Sequence, residues 1–357
     1  MSDGNPYLRP AGLLWGRDAD EAIEAGHAGR LAGGRIAFTQ IDMSLRHEAL
    51  VSRSWHTYSD FAQSSDSEIL RRLELIEHDR PPVGGLDMAS PVIMGIINVT
   101  PDSFSDGGQA FDADVAIEQG RRLAAAGAAI LDIGGESTRP GSDPVSAEAE
   151  LERVLPVITA LAGEGCLVSI DTRKPDVMEA ALAAGASIIN DVSALTFDPR
   201  SSQTAGGLGA PVILMHAQGD PKTMQQNPSY DDVALDVFDA LEGWLDRSEA
   251  DGVKRAHLLA DPGIGFGKTF GHNLEILNRA TLFHGLGVPL VFGASRKAFI
   301  GALTGEKAAG LRVNGSIGAA IGMLSQGVQI VRVHDVRETI EAKTVWQSVL
   351  DPDLASL

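Results

Sequence analysis

Residues 91–108 read PVIMGIINVTPDSFSDGG. The run VIMGIINV (92–99) is apolar and rich in β-branched residues, as a strand buried on both faces of a parallel sheet must be. The loop NVTPDSFSDGG (98–108) overruns the roughly two to six residues that usually join a strand to the following helix. It also carries Asp102, Asp106, Phe104, two serines and Gly107-Gly108. A plain turn needs none of these. The fold follows from whether this strand–loop–helix unit recurs.

It does recur. The runs AAILDIG (128–134), LVSID (167–171), SIIND (187–191), PVILMH (211–216), HLLAD (257–261), PLVFG (289–293) and VQIVR (328–332) follow in turn. Between them lie helical patterns at 114–126, 147–161, 175–184, 231–250, 274–283, 308–325 and 336–349, and residues 199–207 are only weakly helical. Such alternation specifies parallel strands with crossover helices. Eight runs within 91–350 predict an α/β fold, a (β/α)8 TIM barrel, whose usual size is about 250 residues. An open doubly wound sheet is the runner-up, but its glycine-rich dinucleotide turn is missing after the first run.

Upstream, SSDSEILRRLELIEHDRPP (64–82) is polar and charged and is followed by Gly84-Gly85. A boundary placed there makes residues 1–85 an N-terminal extension of unreadable role, with a helix near 19–31, a strand at 36–40 and a helix capped by Ser67. The barrel is expected over 91–350.

With 48 acidic against 29 basic residues, the net charge of −19 argues against nucleic acid as a partner. Apolar runs too short for a membrane span, and an N-terminus without signal-peptide character, lead to the expectation of a cytoplasmic protein with no membrane partner. The single cysteine, Cys166, rules out an internal disulfide framework and reads as a small buried hydrophobe.

In a barrel, chemistry sits where strand C-termini meet their loops. Those ends carry Asn98, Asp132, Asp171, Asn190, His216, Asp261, Ser295-Arg296-Lys297, and Arg332 with His334. One such residue would read as a cap or turn; a polar group at every strand end reads as a site. Asp171, Asn190 and Asp261 suit the edges of a flat, buried heterocycle, where an unmatched polar edge is costly. Lys297 can donate to a ring carbonyl or nitrogen, and Phe266 or Met215 can cover a face. Arg332 and His334, two apart, can hold a phosphate-type anion. Asn98 offers a hard amide oxygen for Mg²⁺ bridged to phosphate oxygens. Two other patterns fail. GIGFGKT (263–269) looks like a phosphate loop, but its required first glycine would fall on Pro262. A Cys166–His216–Asp132 triad would need Cys166 at the other end of its strand.

These motifs resemble dihydropteroate synthases. NVTPDSFSDGG and DIGGESTRPG (132–141) resemble that family's two signature loops, and SIDTRKP, IINDVSA, ILMHAQGDPKTMQ, DPGIGFGK, FGASRKAFIG and IVRVHDVRETIEA follow in family order. The resemblance spans about 91–350; VNGSIGAAIG (313–322) is more glycine-rich than the family pattern. It implies condensation of 6-hydroxymethyl-7,8-dihydropterin diphosphate with p-aminobenzoate to give dihydropteroate and diphosphate. It places Asp171, Asn190, Asp261 and Lys297 on the pterin. Arg332 and His334 fall on the diphosphate, with Arg332 also stacking on the pterin ring. Asn98 assists Mg²⁺, and Thr138, Arg139, Pro140, Ser295 and Phe104 form the p-aminobenzoate pocket. A homodimer is the candidate assembly. The rival readings are a methyltetrahydrofolate-binding methyltransferase, which needs no diphosphate site, and a non-catalytic pterin-binding paralogue, which would be expected to lose loop residues.

The opening loop then has a task. Once diphosphate departs, a pterin cation is exposed to water unless loops close over it. Asp102 offers charge near that cation and Phe104 an aromatic wall for the amine. The double variant Asp102→Ala with Phe104→Ala should leave pterin diphosphate affinity within a few-fold, lower turnover by roughly 10²-fold, and release diphosphate faster than dihydropteroate forms. Wild-type turnover with tight coupling of the two products would reduce the loop to a polar turn.

Overall fold

The computed structural model describes residues 5–47, 50–100, 113–137, 142–219 and 223–354. Among them, eight parallel strands form one sheet: β5 (Val92–Asn98), β6 (Ile130–Gly134), β7 (Val168–Asp171), β8 (Ile188–Asp191), β9 (Val212–Met215), β10 (Leu258–Asp261), β11 (Val291–Phe292) and β12 (Ile330–Val333). Their spatial order runs from β10 back through β5 to β12 and β11. The two ends meet through a parallel Ala260–Leu290 bridge and an Ala260 N–H to Pro289 O bond of 3.0 Å. The sheet is therefore a nearly closed barrel, and the open-sheet reading falls.

Side chains two apart on a strand share a face. One face of each strand points into the barrel, where Val92, Met94, Ile130, Ile188, Ile213, Leu259, Val291 and Ile330 pack as one cluster. The alternate residues Ile133, Ile170, Ile189, Leu214, Ala260 and Val331 pack outward against the helices. Those helices are α4 (Ala113–Ala125), α5 (Ala147–Gly163), α6 (Pro175–Ala183), α7 (Ser201–Leu208), α8 (Val233–Ala250), α9 (Phe270–Asn278), α10 (Ala298–Thr304), α11 (Val313–Leu324) and α12 (Val336–Leu350).

Several expected boundaries move. The helix expected at 274–283 begins four residues earlier at Phe270, because Thr269 and His272 form a capping box, and 280–286 is a 3-10 stretch. The weakly helical 199–207 does contain a helix, α7. The segment expected as one helix over 308–325 is α11 preceded by a short 3-10 turn, and the unexpected α10 precedes both. Glycine at 315 has a packing reason, since a Cβ there would strike the Ile300 side chain of α10.

The N-terminal region holds more structure than expected. β1 (Pro6–Trp15), β3 (Ile36–His47) and β4 (Leu50–Thr57) form an antiparallel sheet with the short β2 (Gly29–Arg30). Pro6 and Pro10 mask β1 in the sequence; both are accommodated because β1 pairs on one side only, with β3. The first helix, α1, covers Gly16–Glu24 rather than 19–31, and a short α2 (Tyr58–Ala62) follows β4. The third, α3 (Ser67–Glu77), is capped by Asp66 and not by Ser67, Asp66 accepting from the N–H groups of Glu68 and Ile69.

This sheet docks on α8 through charge. Tyr7 donates to Asp239 at 2.9 Å and Arg46 meets Asp236 at 2.6 Å, while Arg72 of the adjoining α3 pairs with Glu242. The connecting segment then passes under the barrel, where Val83 and Met88 join the inward apolar cluster and plug its N-terminal mouth. Residue 85 thus lies inside the plug. Met88 is 2% exposed, so Met88→Ala should cost about 2–5 kcal/mol, the usual range for truncating a buried methionine. Urea denaturation checks this, and a loss below about 1 kcal/mol would mean the plug contributes little packing.

Candidate active site

The inward rows that carry apolar residues low in the barrel turn polar at its C-terminal mouth. Ile130 is followed two residues on by Asp132, Ile188 by Asn190, Leu259 by Asp261 and Ile330 by Arg332, while Ile213 is followed by Met215. Asp132, Asn190, Met215 and Asp261 are buried, at 0%, 5%, 5% and 5% exposure. Asp171 and Asn98 end β7 and β5, and Asn98 is half-buried.

Arg332 stands at the centre. Its Nε donates to Asp132 Oδ2 at 2.5 Å and its Nη2 to Asp171 Oδ2 at 2.7 Å. Asn190 Nδ2 donates to the same Asp132 oxygen at 3.1 Å. Burial works against the guanidinium's charge, but Asp132 and Asp171 outweigh it and hold its pKa above the ordinary value. Burial pushes the Asp171 carboxyl up, and Arg332 pulls it back. Two of the five guanidinium donors are thus spent on carboxylates, so the anion grip expected of Arg332 falls to its Nη1 edge, which has no partner among the described residues. Asp132 Oδ1 is buried and likewise has no partner there.

The next group comes from the DPGIGFGK loop. Asp261 Oδ1 accepts from Gly263 N–H at 2.8 Å. Burial raises the Asp261 pKa; Gly263 N–H and Lys297 lower it. Gly263 has φ +69°, and a Cβ there would collide with the His216 carbonyl oxygen. Lys297 Nζ donates to Ile264 O at 2.6 Å and lies 4.1 Å from the centroid of the half-buried Phe266 ring, a cation–π placement. Burial draws the Lys297 pKa down to about 8, with Asp261 opposing. In the same loop as Lys297, Ser295 Oγ lies 3.1 Å from His334 Nδ1 and accepts from its backbone N–H at 3.2 Å, fixing the ring's orientation.

The structure therefore brings together Asp171, Asn190, Met215, Asp261, Phe266, Lys297 and Arg332, with Ser295 and His334 beside each other. It does not bring His216 into this ring. His216 follows the inward Met215 by one residue and so turns outward, against Trp244 at 5.5 Å. Arg296 is held sideways: its Nε donates to Asp335 Oδ2 at 3.0 Å, and its N–H to Ser316 Oγ at 2.8 Å. Cys166 lies at the far end of the barrel wall from the ring, half-buried rather than buried. Asp102, Phe104, Thr138, Arg139 and Pro140 fall outside the described residues. A groove open to solvent lies between the N-terminal sheet and the barrel underside, bounded by Trp15, Leu31, Met88 and Trp346. It shares no residue with the polar ring and is no part of this site.

Two contributors were not singled out from sequence. Asp132 was seen only as a strand end, though it anchors both Arg332 and Asn190. Glu136 joins the second loop to the third: it accepts from Arg173 at 3.0 Å and Lys174 at 2.7 Å. The signal available was an acid in GGES facing a basic pair in TRKP.

Comparison with known proteins agrees with this geometry. A family model described as pterin binding enzyme matches residues 94–334. The dihydropteroate synthase of Escherichia coli K12 is 46% identical over 266 residues, covering 74% of this chain and 94% of that protein. The structure of Xanthomonas albilineans dihydropteroate synthase with 4-aminobenzoic acid superimposes with a TM-score of 0.71 at 45% identity, covering 76% of this chain and 97% of that one. The same enzyme in complex with 7,8-dihydropteroate gives 0.68 at 44% identity, over 74% and 95%.

The Lys297 ammonium is lost as the pH rises through about 8, so a ligand that depends on its charge should bind more weakly above that pH. Calorimetry of 6-hydroxymethylpterin between about pH 7 and 9.5 should show this fall, and Lys297→Arg, charged throughout, should flatten it relative to the wild type. Identical profiles for the two proteins would remove the lysine charge from recognition.

Proposed function

Because the chain belongs to the pterin-binding enzymes, and among them to the dihydropteroate synthases, we propose that it joins 6-hydroxymethyl-7,8-dihydropterin diphosphate to p-aminobenzoate. The observation that carries this reading is the inward polar ring of Asp171, Asn190, Asp261, Lys297 and Arg332 at one barrel mouth. Asp261 accepts from the amino edge of the pterin, Asn190 matches a neighbouring donor and acceptor, and Lys297 donates to the ring carbonyl or nitrogen. Met215 and Arg332 cover the ring's face. Asp171 orients Arg332 and lines the same edge.

The diphosphate lies toward His334 and the remaining Arg332 edge. With Ser295 at its Nδ1 side, His334 presents Nε2 to a diphosphate oxygen. The bond from the pterin methylene carbon to the diphosphate oxygen breaks, and the electron pair leaves with diphosphate. The p-aminobenzoate nitrogen forms the new bond to that carbon and gives up a proton. Ser295, with Phe104, Thr138, Arg139 and Pro140, receives p-aminobenzoate, while Asp102 and Phe104 shield the reacting carbon from water.

Mg²⁺ belongs to this reading as a substrate-bridging ion. Among the described residues no three or more of His, Cys, Asp or Glu gather as a cage. A half-buried amide at the end of β5, Asn98, would hold the ion by its oxygen, a hard ligand suited to Mg²⁺. When bound, the ion neutralises charge on the diphosphate. A cytoplasmic location completes the reading, in keeping with the absence, among the described residues, of a helix long and apolar enough to cross a membrane. So does a homodimer, for which the exposed Leu303, Val345 and Val349 of α10 and α12 supply apolar surface.

The test is release of diphosphate from the pterin substrate, measured with and without p-aminobenzoate. Release that depends on p-aminobenzoate and matches dihydropteroate formed is expected. A methyltransferase or a binding paralogue would release none.

A further inference from the structure

The lysine of GIGFGKT, discarded as a phosphate-loop residue, is 2% exposed. Its Nζ lies 2.9 Å from Gly263 O, 3.0 Å from Phe266 O, 3.3 Å from His216 O and 2.9 Å from His216 Nδ1. A phosphate-loop lysine points toward its ligand; this one points into the back of its own loop. We propose that Lys268 is a positioning residue, which holds the 262–267 loop from behind and thereby sets where Asp261 and Lys297 meet the pterin.

The same loop residues are used on both sides. Gly263 gives its N–H to Asp261 and its carbonyl to Lys268. Phe266 gives its ring to Lys297 and its carbonyl to Lys268. Between them Ile264 O takes the Lys297 ammonium. The loop therefore has no freedom to shift under Lys297 without breaking bonds at Lys268. His216 completes the back wall. Burial, and then the Lys268 charge, draw its pKa down to about 2. The ring is therefore neutral. Burial lowers the Lys268 pKa to about 7, with Asp261 opposing, and as an ammonium Lys268 shares its three donors among Nδ1 and the carbonyls behind the loop. Tyr230 closes the loop's other end, donating to Gly267 O at 2.7 Å. This explains why His216, a polar residue at a strand end, faces away from the ring: it serves the loop and not the ligand.

The inference rests on the synthase reading, and the experiment separates the two. Wild-type diphosphate release tests that reading alone. Lys268→Met, which keeps the aliphatic stem and removes every donor, tests the inference. Calorimetry with 6-hydroxymethylpterin should show affinity lowered by about 10- to 100-fold, the scale of a displaced binding group. KM for p-aminobenzoate at saturating pterin should stay within about twofold, since that substrate meets other loops. In a double-mutant cycle, Lys297→Ala should cost much less in Lys268→Met than in the wild type, because its cradle is already displaced. Additive losses, or equal losses for both substrates, would make Lys268 a stability residue only and overturn the proposal. If Lys268→Met does not fold, His216→Phe removes one acceptor while keeping a ring against Trp244. A smaller loss confined to the pterin supports the proposal, and unchanged pterin affinity overturns it.

Discussion

In a strand, every second side chain faces the same way, and closing eight parallel strands turns one such set inward. The structure depends on that constraint. Low in the barrel the inward positions are apolar, and they pack with one another and with Val83 and Met88. One pleat higher the same rows carry Asp132, Asn190, Asp261 and Arg332. The apolar layer makes a dry floor, and a dry floor is what strengthens electrostatics among the groups above it.

Two acids and one guanidinium at such a depth would be costly singly. Together they satisfy much of one another's demand: Arg332 bonds to Asp132 and Asp171, and Asn190 adds a donor. The arrangement orients Arg332 before any ligand arrives, which lowers the ordering cost of binding. Lys297, which follows the neighbouring strand β11, is treated similarly, fixed by Ile264 O and the Phe266 ring. Around this centre the loops are tied in pairs, the second to the third by the charges of Glu136 with Arg173 and Lys174, the seventh to the eighth by the Arg296–Asp335 ion pair and the Ser295–His334 hydrogen bond.

The N-terminal sheet meets the barrel on a different principle. Its basic and phenolic side chains meet the acids of α8, and its connecting segment enters the barrel floor. A polar outer contact combined with an apolar plug ties a region outside the family match to the end of the barrel opposite the site. The compositional boundary near residue 85 marks a change in chain polarity, not a gap in packing.

The sequence by itself determined the barrel, the order of its strands and which strand ends carry polar groups, because period-two burial and strand–helix alternation are local properties of a chain. It also located Asp171, Asn190, Asp261, Lys297 and Arg332, since a strand end is visible in one dimension. The direction in which a residue beside a strand end points was not legible: His216 and Arg296 turn away from the ring, one to Lys268 and the other to Asp335. Nor was the pairing of Arg332 with Asp132 and Asp171, whose sequence separations are 200 and 161 residues. β1 and β4 were hidden as well, because an edge strand tolerates proline and an exposed face needs no apolar alternation. Those features arise only when distant segments close on one another, since the partner that satisfies a buried charge, or that excuses a proline, is chosen by the tertiary fold.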